Sequence, residues 1–259
     1  MTSFLLTLAS PLIGLILFGL VVAASEIGVR VGTYFQNRSD DDVKSQTTAI
    51  QAGLIGLLAL ILGFSFNLAL SRYDARASAE IREANAIGTA MLRTELLPPA
   101  FARRADSLLE RYVELRIALS NTDLTELAAR RVLTRDTDRL QAAVWDVGVA
   151  ASEVDPRPVT TGYFLQSLND MIDARGARND TLQRHVPVEV YYLLVLIFVA
   201  TSGLTGYASG IGRRQSRVPG LVLGALVCLL VVVIVDLHRP RRGLIEVRQD
   251  SMEALRPAD

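Results

Sequence analysis

The chain has 259 residues, of which 50% are hydrophobic and 21% charged, with a formal net charge of zero. That balance gives no reason to expect nucleic acid as a partner, and it excludes both a disordered chain and an ordinary soluble enzyme. It fits a membrane protein with a substantial water-exposed part. The single cysteine, Cys228, lies in an apolar run, so one chain holds no disulfide framework or Cys-based metal site. Lys44 is the only lysine among many arginines, a codon usage expected of a GC-rich bacterium and hence of a bacterial inner membrane.

Phe4 to Ala24 is the first long apolar run, broken only by Thr7, Ser10, Pro11 and two glycines. Ala23-Ala24-Ser25 resembles a signal-peptide cleavage site. However, no Lys or Arg precedes the run and it exceeds a usual h-region, so the expectation is a retained transmembrane helix over about 4–24. Glu26 to Thr48 reads as a polar connection. Its Asp40-Asp41-Asp42 triplet suits the N-terminus of the helix that follows.

Ala49 to Leu97 is predicted to be one unbroken helix, because no proline interrupts it before Pro98-Pro99. Its first part, Ala49 to Leu70, carries no charge and is long enough to cross the hydrocarbon core. At 1.5 Å per residue the whole helix is roughly 75 Å long. Ala52, Gly56, Ala59, Gly63, Phe66, Leu70, Ala77, Ile81, Ala84, Gly88 and Met91 recur at helical spacing on one stripe. Small residues in its membrane half let backbones approach closely. The stripe therefore reads as a packing seam, with a pore lining as the alternative, and in an oligomer the two coincide. Phe66 and Leu70 are its bulky apolar members.

After the prolines, Ala100 to Leu119 reads as an amphipathic helix with Phe101, Ala105, Leu108, Tyr112, Leu115 and Leu119 on one face. The charges opposite, Arg103 to Arg116, read as a solvated surface. Asp123 and Glu126 have capping-box spacing ahead of a helix over about Leu124 to Val154 that buries Leu124, Leu127, Leu140, Val144 and Val147. Asp155-Pro156-Arg157-Pro158 breaks it. A further helix resumes near Thr160 with Phe164, Leu165, Leu168, Met171 and Ile172 inward. Nothing between Ser71 and Val186 alternates like a strand.

Two more spans follow, over about 187–211 and 218–237. Arg239, Arg241 and Arg242 then form a basic cluster suited to the interface and to lipid head groups. The predicted architecture is all-α: a first transmembrane pair in 1–70, an extramembrane helical bundle in 71–186, a second pair in 187–237 and a tail in 238–259, where Leu244, Ile245 and Val247 are candidate docking residues. Four spans put termini and bundle on the same side. Basic residues flank both faces, so the positive-inside rule does not orient the chain. There is no P-loop, dinucleotide fingerprint, nucleophile elbow or zinc motif. His185 and His238 stand apart at helix ends. No enzyme, cofactor or metal is indicated.

Gly63-Phe64-Ser65-Phe66, Ala69-Leu70-Ser71-Arg72-Tyr73-Asp74-Ala75-Arg76, Glu83-Ala84-Asn85-Ala86-Ile87-Gly88-Thr89-Ala90 and Asp236 to Ile245 resemble, in order and spacing, a bacterial membrane family labelled bestrophin-like. The resemblance spans nearly the whole chain. It implies the arrangement of bestrophin anion channels: a pentamer, bundle and termini cytoplasmic, with a pore along the second span. The apolar neck then falls on that span, and Gly56, Gly63, Phe66 and Leu70 are the candidate pore or seam residues. The rival reading is a non-conducting membrane scaffold or sensor whose bundle binds a partner or lipid.

Overall fold

A computed structural model of the chain describes residues 10–38, 40–123, 126–183, 188–212, 217–238 and 247–256. The described residues are all-helical. Four helices are long and apolar enough to cross a membrane, and the others intervene between the second and third of these or lie in the tail. Contacts divide the chain into two compact units, Met1–Arg72 with His185–Ile245 and Tyr73–Arg184 with Glu246–Asp259.

Helix α1, Ser10–Phe35, carries Pro11 in its first turn, where the missing N–H costs nothing. It runs well past Ala24. The expected polar connection shrinks to a short 3-10 turn, Gln36–Arg38, and a few residues beside it. Helix α2, Asp41–Arg93, has 53 residues, or about 80 Å of rise. It begins eight residues before the predicted Ala49 because the acidic triplet itself starts it. Asp40 Oδ1 accepts the Val43 N–H at 3.0 Å, and Asp41 and Asp42 occupy the positive end of the helix dipole. No break occurs near Leu70 to Asp74. A 3-10 turn, Thr94–Leu96, closes α2.

In the first unit, α1 packs on α6, Val188–Ile211, and on α7, Val218–His238. The α1–α6 seam is made of glycine. A Cβ on Gly28 would fall on the Gly203 carbonyl oxygen, one on Gly32 on that of Tyr207, one on Gly206 on that of Ser25 and one on Gly210 on that of Val29. Side chains are excluded, and the backbones touch. Gly14 and Gly224 give α7 the same close access: a Cβ on Gly14 would meet Val232 Cγ2 at 2.6 Å, and one on Gly224 would meet Val21 Cγ1 at 3.1 Å.

In the second unit, α3 (Pro99–Asn121), α4 (Leu127–Val154) and α5 (Tyr163–Gln183) surround the C-terminal half of α2. Pro99 sits at the start of α3, where proline is pre-organised. Glu126, expected as the third residue of a capping box begun by Asp123, is itself the N-cap of α4 and makes no side-chain cap bond. Arg130 Nη1 instead donates to the Leu119 and Thr122 carbonyls at 3.0 and 3.1 Å, satisfying the end of α3. Leu140, Val144 and Val147 are buried as expected, but Leu127 is 62% exposed at the helix start. Leu124 lies outside the described residues. Between α4 and α5 a π-turn, Pro158–Gly162, is anchored by Asp155, whose carboxylate accepts from Arg157 and Thr160. The core holds Ile87, Leu109, Tyr112, Val144, Phe164, Leu168 and Met171. The short helix α8, Asp250–Glu253, joins it through Met252, which is fully buried.

Candidate functional site

Each unit holds a distinct candidate, built on a different part of α2. In the first unit α2 turns Leu58, Leu62 and Ala69 inward. Gln51 Nε2 donates to Thr205 Oγ1 at 3.3 Å, and Leu58 joins Phe18, Val21, Phe198 and Thr201 around a gap of about 20 Å³. The buried stripe is thus one residue ahead of the predicted one, about 100° around the helix. The predicted stripe faces outward from its own chain. Ala52, Gly56, Ala59 and Gly63 are exposed, and a Cβ on Gly53, Gly56 or Gly63 would meet nothing within 4 Å. Phe66 is half-buried and Leu70 40% exposed. Within one chain these residues therefore form no seam, and the tight glycine contact lies between α1 and α6. The face they share is apolar, uncharged and uncovered.

Of the basic cluster, Arg239, Arg241 and Arg242 lie outside the described residues, as do His185, Leu244 and Ile245. His238 ends α7. Among the described residues no group of three or more His, Cys, Asp or Glu is placed to hold a metal ion.

In the second unit a network of buried charges crosses the bundle. Glu83 on α2 is fully buried. Its Oε1 accepts Arg116 Nε at 2.6 Å, and its Oε2 accepts Arg116 Nη2 at 2.8 Å and Arg178 Nη1 at 2.7 Å. Arg178 goes on to Ser120 Oγ at 3.0 Å and to Gln249 Oε1 at 2.6 Å. Burial alone would push the Glu83 carboxyl up, but the two guanidiniums outweigh it and hold it below the usual range. Arg175, also buried, reaches Asp138 and Gln141 from α5. The Tyr112 hydroxyl sits among these groups without a hydrogen-bond partner among the described residues, and burial pushes it up to about 12. One turn before Glu83, Glu80 is 2% exposed, and its Oε1 accepts the Met252 N–H at 3.2 Å.

Sequence reasoning placed Arg116 on a solvated face and so missed this network. The signal was present in the spacing. Arg116 falls in line with Leu109, Tyr112, Val113 and Ile117, and Glu83 in line with Ile87 and Ala90, so each charge lies on a stripe whose apolar members are core. A charge at such a position calls for a buried partner.

A family model described as "Bestrophin-like domain" matches residues 18–252. A crystal structure of a bacterial bestrophin homolog from Klebsiella pneumoniae, carrying a point mutation, is similar in fold, with a TM-score of 0.68. The alignment covers 92% of this chain and 94% of that one at 18% sequence identity. No curated protein matches the chain.

Proposed function

Because the chain belongs to the Bestrophin-like domain family, and is thus a multi-pass, non-enzymatic membrane protein, we propose that it forms an ion channel in which several copies surround a pore lined by the second span. By the family resemblance the assembly is a pentamer in the bacterial inner membrane, with bundle and termini cytoplasmic. Arg239, Arg241 and Arg242 then anchor the fourth span among lipid head groups.

One observation carries this reading. The face of α2 made of Ala52, Gly56, Ala59 and Gly63 is covered by none of the described residues of its own chain, although in the same unit Gly28, Gly32, Gly206 and Gly210 mark a place where helices touch. An uncovered small-residue face on a spanning helix is what neighbouring copies or a central pore require. At the end of that stripe stand Phe66 and Leu70, one turn apart. A ring of them, one pair per copy, makes a narrow apolar neck that resists wetting.

Flux through proteoliposomes tests the neck. Phe66→Ala raises ion flux and Phe66→Trp lowers it. If Phe66 only fills space between helices, Phe66→Ala costs about 3–5 kcal/mol as a cavity and opens no conductance. Wild-type and Phe66→Ala vesicles that are equally silent to anions and cations, with assembly intact, would exclude conduction through this helix.

The second reading, a scaffold or sensor, has its own support. An open groove of about 740 Å³ on the bundle is floored by Val113, Leu115, Leu140 and Leu255, with acidic and basic side chains at its rim.

A further inference from the structure

The tail from Val247 to Arg256 is a strap laid over the bundle, fastened by named side chains. Met252 is fully buried in the core, and a Cβ on Gly88 would meet Leu255 Cδ2 at 3.0 Å. Gln249 Oε1 accepts from Arg178. Arg256 makes a bidentate pair with Glu114 at 2.8 and 2.9 Å. The start of α8 is fastened by Glu80, which accepts the Met252 N–H, with the Ser251 side chain close enough to favour the carboxylate. These two carboxylates of α2 are unequal. Glu83 has both oxygens occupied by Arg116 and Arg178. Glu80 is nearly as buried, yet among the described residues no cation comes within ion-pairing distance of it.

We propose that the C-terminal strap is proton-linked: it docks on the bundle with Glu80 protonated and loosens as that carboxylate ionises. This rests on the strap's own contacts and holds whether or not the protein conducts.

The groups acting on Glu80 fix the sign. Burial is the largest influence and disfavours the charge, and Glu83 on the same helix acts in the same direction. Arg178 from α5, the Met252 N–H and the Ser251 side chain favour the charge, while Arg116 from α3 is committed to Glu83. The balance holds the buried carboxyl above its ordinary value. Lifting the strap returns Glu80 to water and to that ordinary value. Docking therefore takes up a proton. It is fully favoured at acid pH and weakens as pH rises through the docked carboxyl's range.

The assembled protein in liposomes, with Cys228→Ala and a nitroxide on Ala254→Cys at the exposed side of the strap, reads this directly. The immobilised fraction of the label should be highest at acid pH and fall severalfold as pH rises. Met252→Ser should leave the label mobile throughout, and Glu80→Gln should keep it immobilised across the range. A label indifferent to pH in the parent protein overturns the proposal. So does a Glu80→Gln protein that keeps the parent's pH response or is mobile at every pH. If Glu80→Gln fails to assemble, Ser251→Ala decides: losing a hydroxyl that favours the ionised carboxylate must move the midpoint to higher pH, and a midpoint that stays or falls rejects the strap.

Discussion

Glu83 and Tyr112 stand side by side in the bundle and make opposite predictions. Glu83 neutralises two guanidiniums that are themselves buried. Glu83→Gln leaves those charges without an anion and should cost about 3–5 kcal/mol, read as a fall in thermal midpoint. Its carboxyl is held below the ordinary value, so its contribution is present above the unfolded group's pKa and is lost as pH falls through the folded one. The thermal midpoint of the native bundle should thus fall more steeply with acid than that of the Glu83→Gln bundle, which starts lower and has lost that dependence. The Tyr112 hydroxyl, in contrast, is buried with no partner among the described residues. Tyr112→Phe removes a polar atom that gains nothing from folding, and stability should hold or rise by about 1 kcal/mol. A loss comparable to that of Glu83→Gln would show that the hydroxyl does have a partner.

At the scale of helices, glycine has two meanings here. In the α1–α6 seam it marks contact, because Gly28, Gly32, Gly206 and Gly210 each leave room only for a neighbouring carbonyl. Gly206→Ala must push the two helices apart, since the obstacle is backbone that no rotamer change can move. It should lower the thermal midpoint of the solubilised protein, whereas Gly19→Ala, with open space around it, should not. On the apolar half of α2, at Gly53, Gly56 and Gly63, glycine marks a vacancy among the described residues. Gly56→Leu and Gly63→Leu should leave each subunit's helices intact, by circular dichroism, while disrupting assembly. Unchanged assembly and unchanged midpoint in both variants would mean that this face meets lipid or open space.

The whole molecule is committed to an assembly if the α2 face is to be covered. The mass of the detergent-solubilised complex tests this, because a monomer removes the axial pore at once. A complex of several copies that conducts, and whose flux follows the bulk at Phe66, fits the channel reading. A complex that assembles and stays silent fits the scaffold, with the bundle groove as its working surface.

The helical class, the four spans and the bundle inserted between the second and third were legible in the chain because each depends on local properties. The length of an uncharged apolar run and a 3.6-residue period need no partner to be read, and Pro98-Pro99 ends a helix wherever it stands. The bestrophin-like motifs were equally local. Which face each helix buries was not. Whether the α2 stripe packs within its own chain or faces out of it was hidden because small residues suit a seam, a pore and open space alike, and only the position of α1 and α6 separates them. Arg116 looked solvated because its partner Glu83 lies 33 residues away, and Arg178 is 95 residues from the same carboxylate. A charge is stable in a core only when its counter-charge arrives there too. The tail likewise docks through Met252, which shows no periodicity in so short a helix, and it docks where a carboxylate from α2 meets it. Those meetings belong to the tertiary structure, because the energy of burying a polar group is set by what stands opposite it in space.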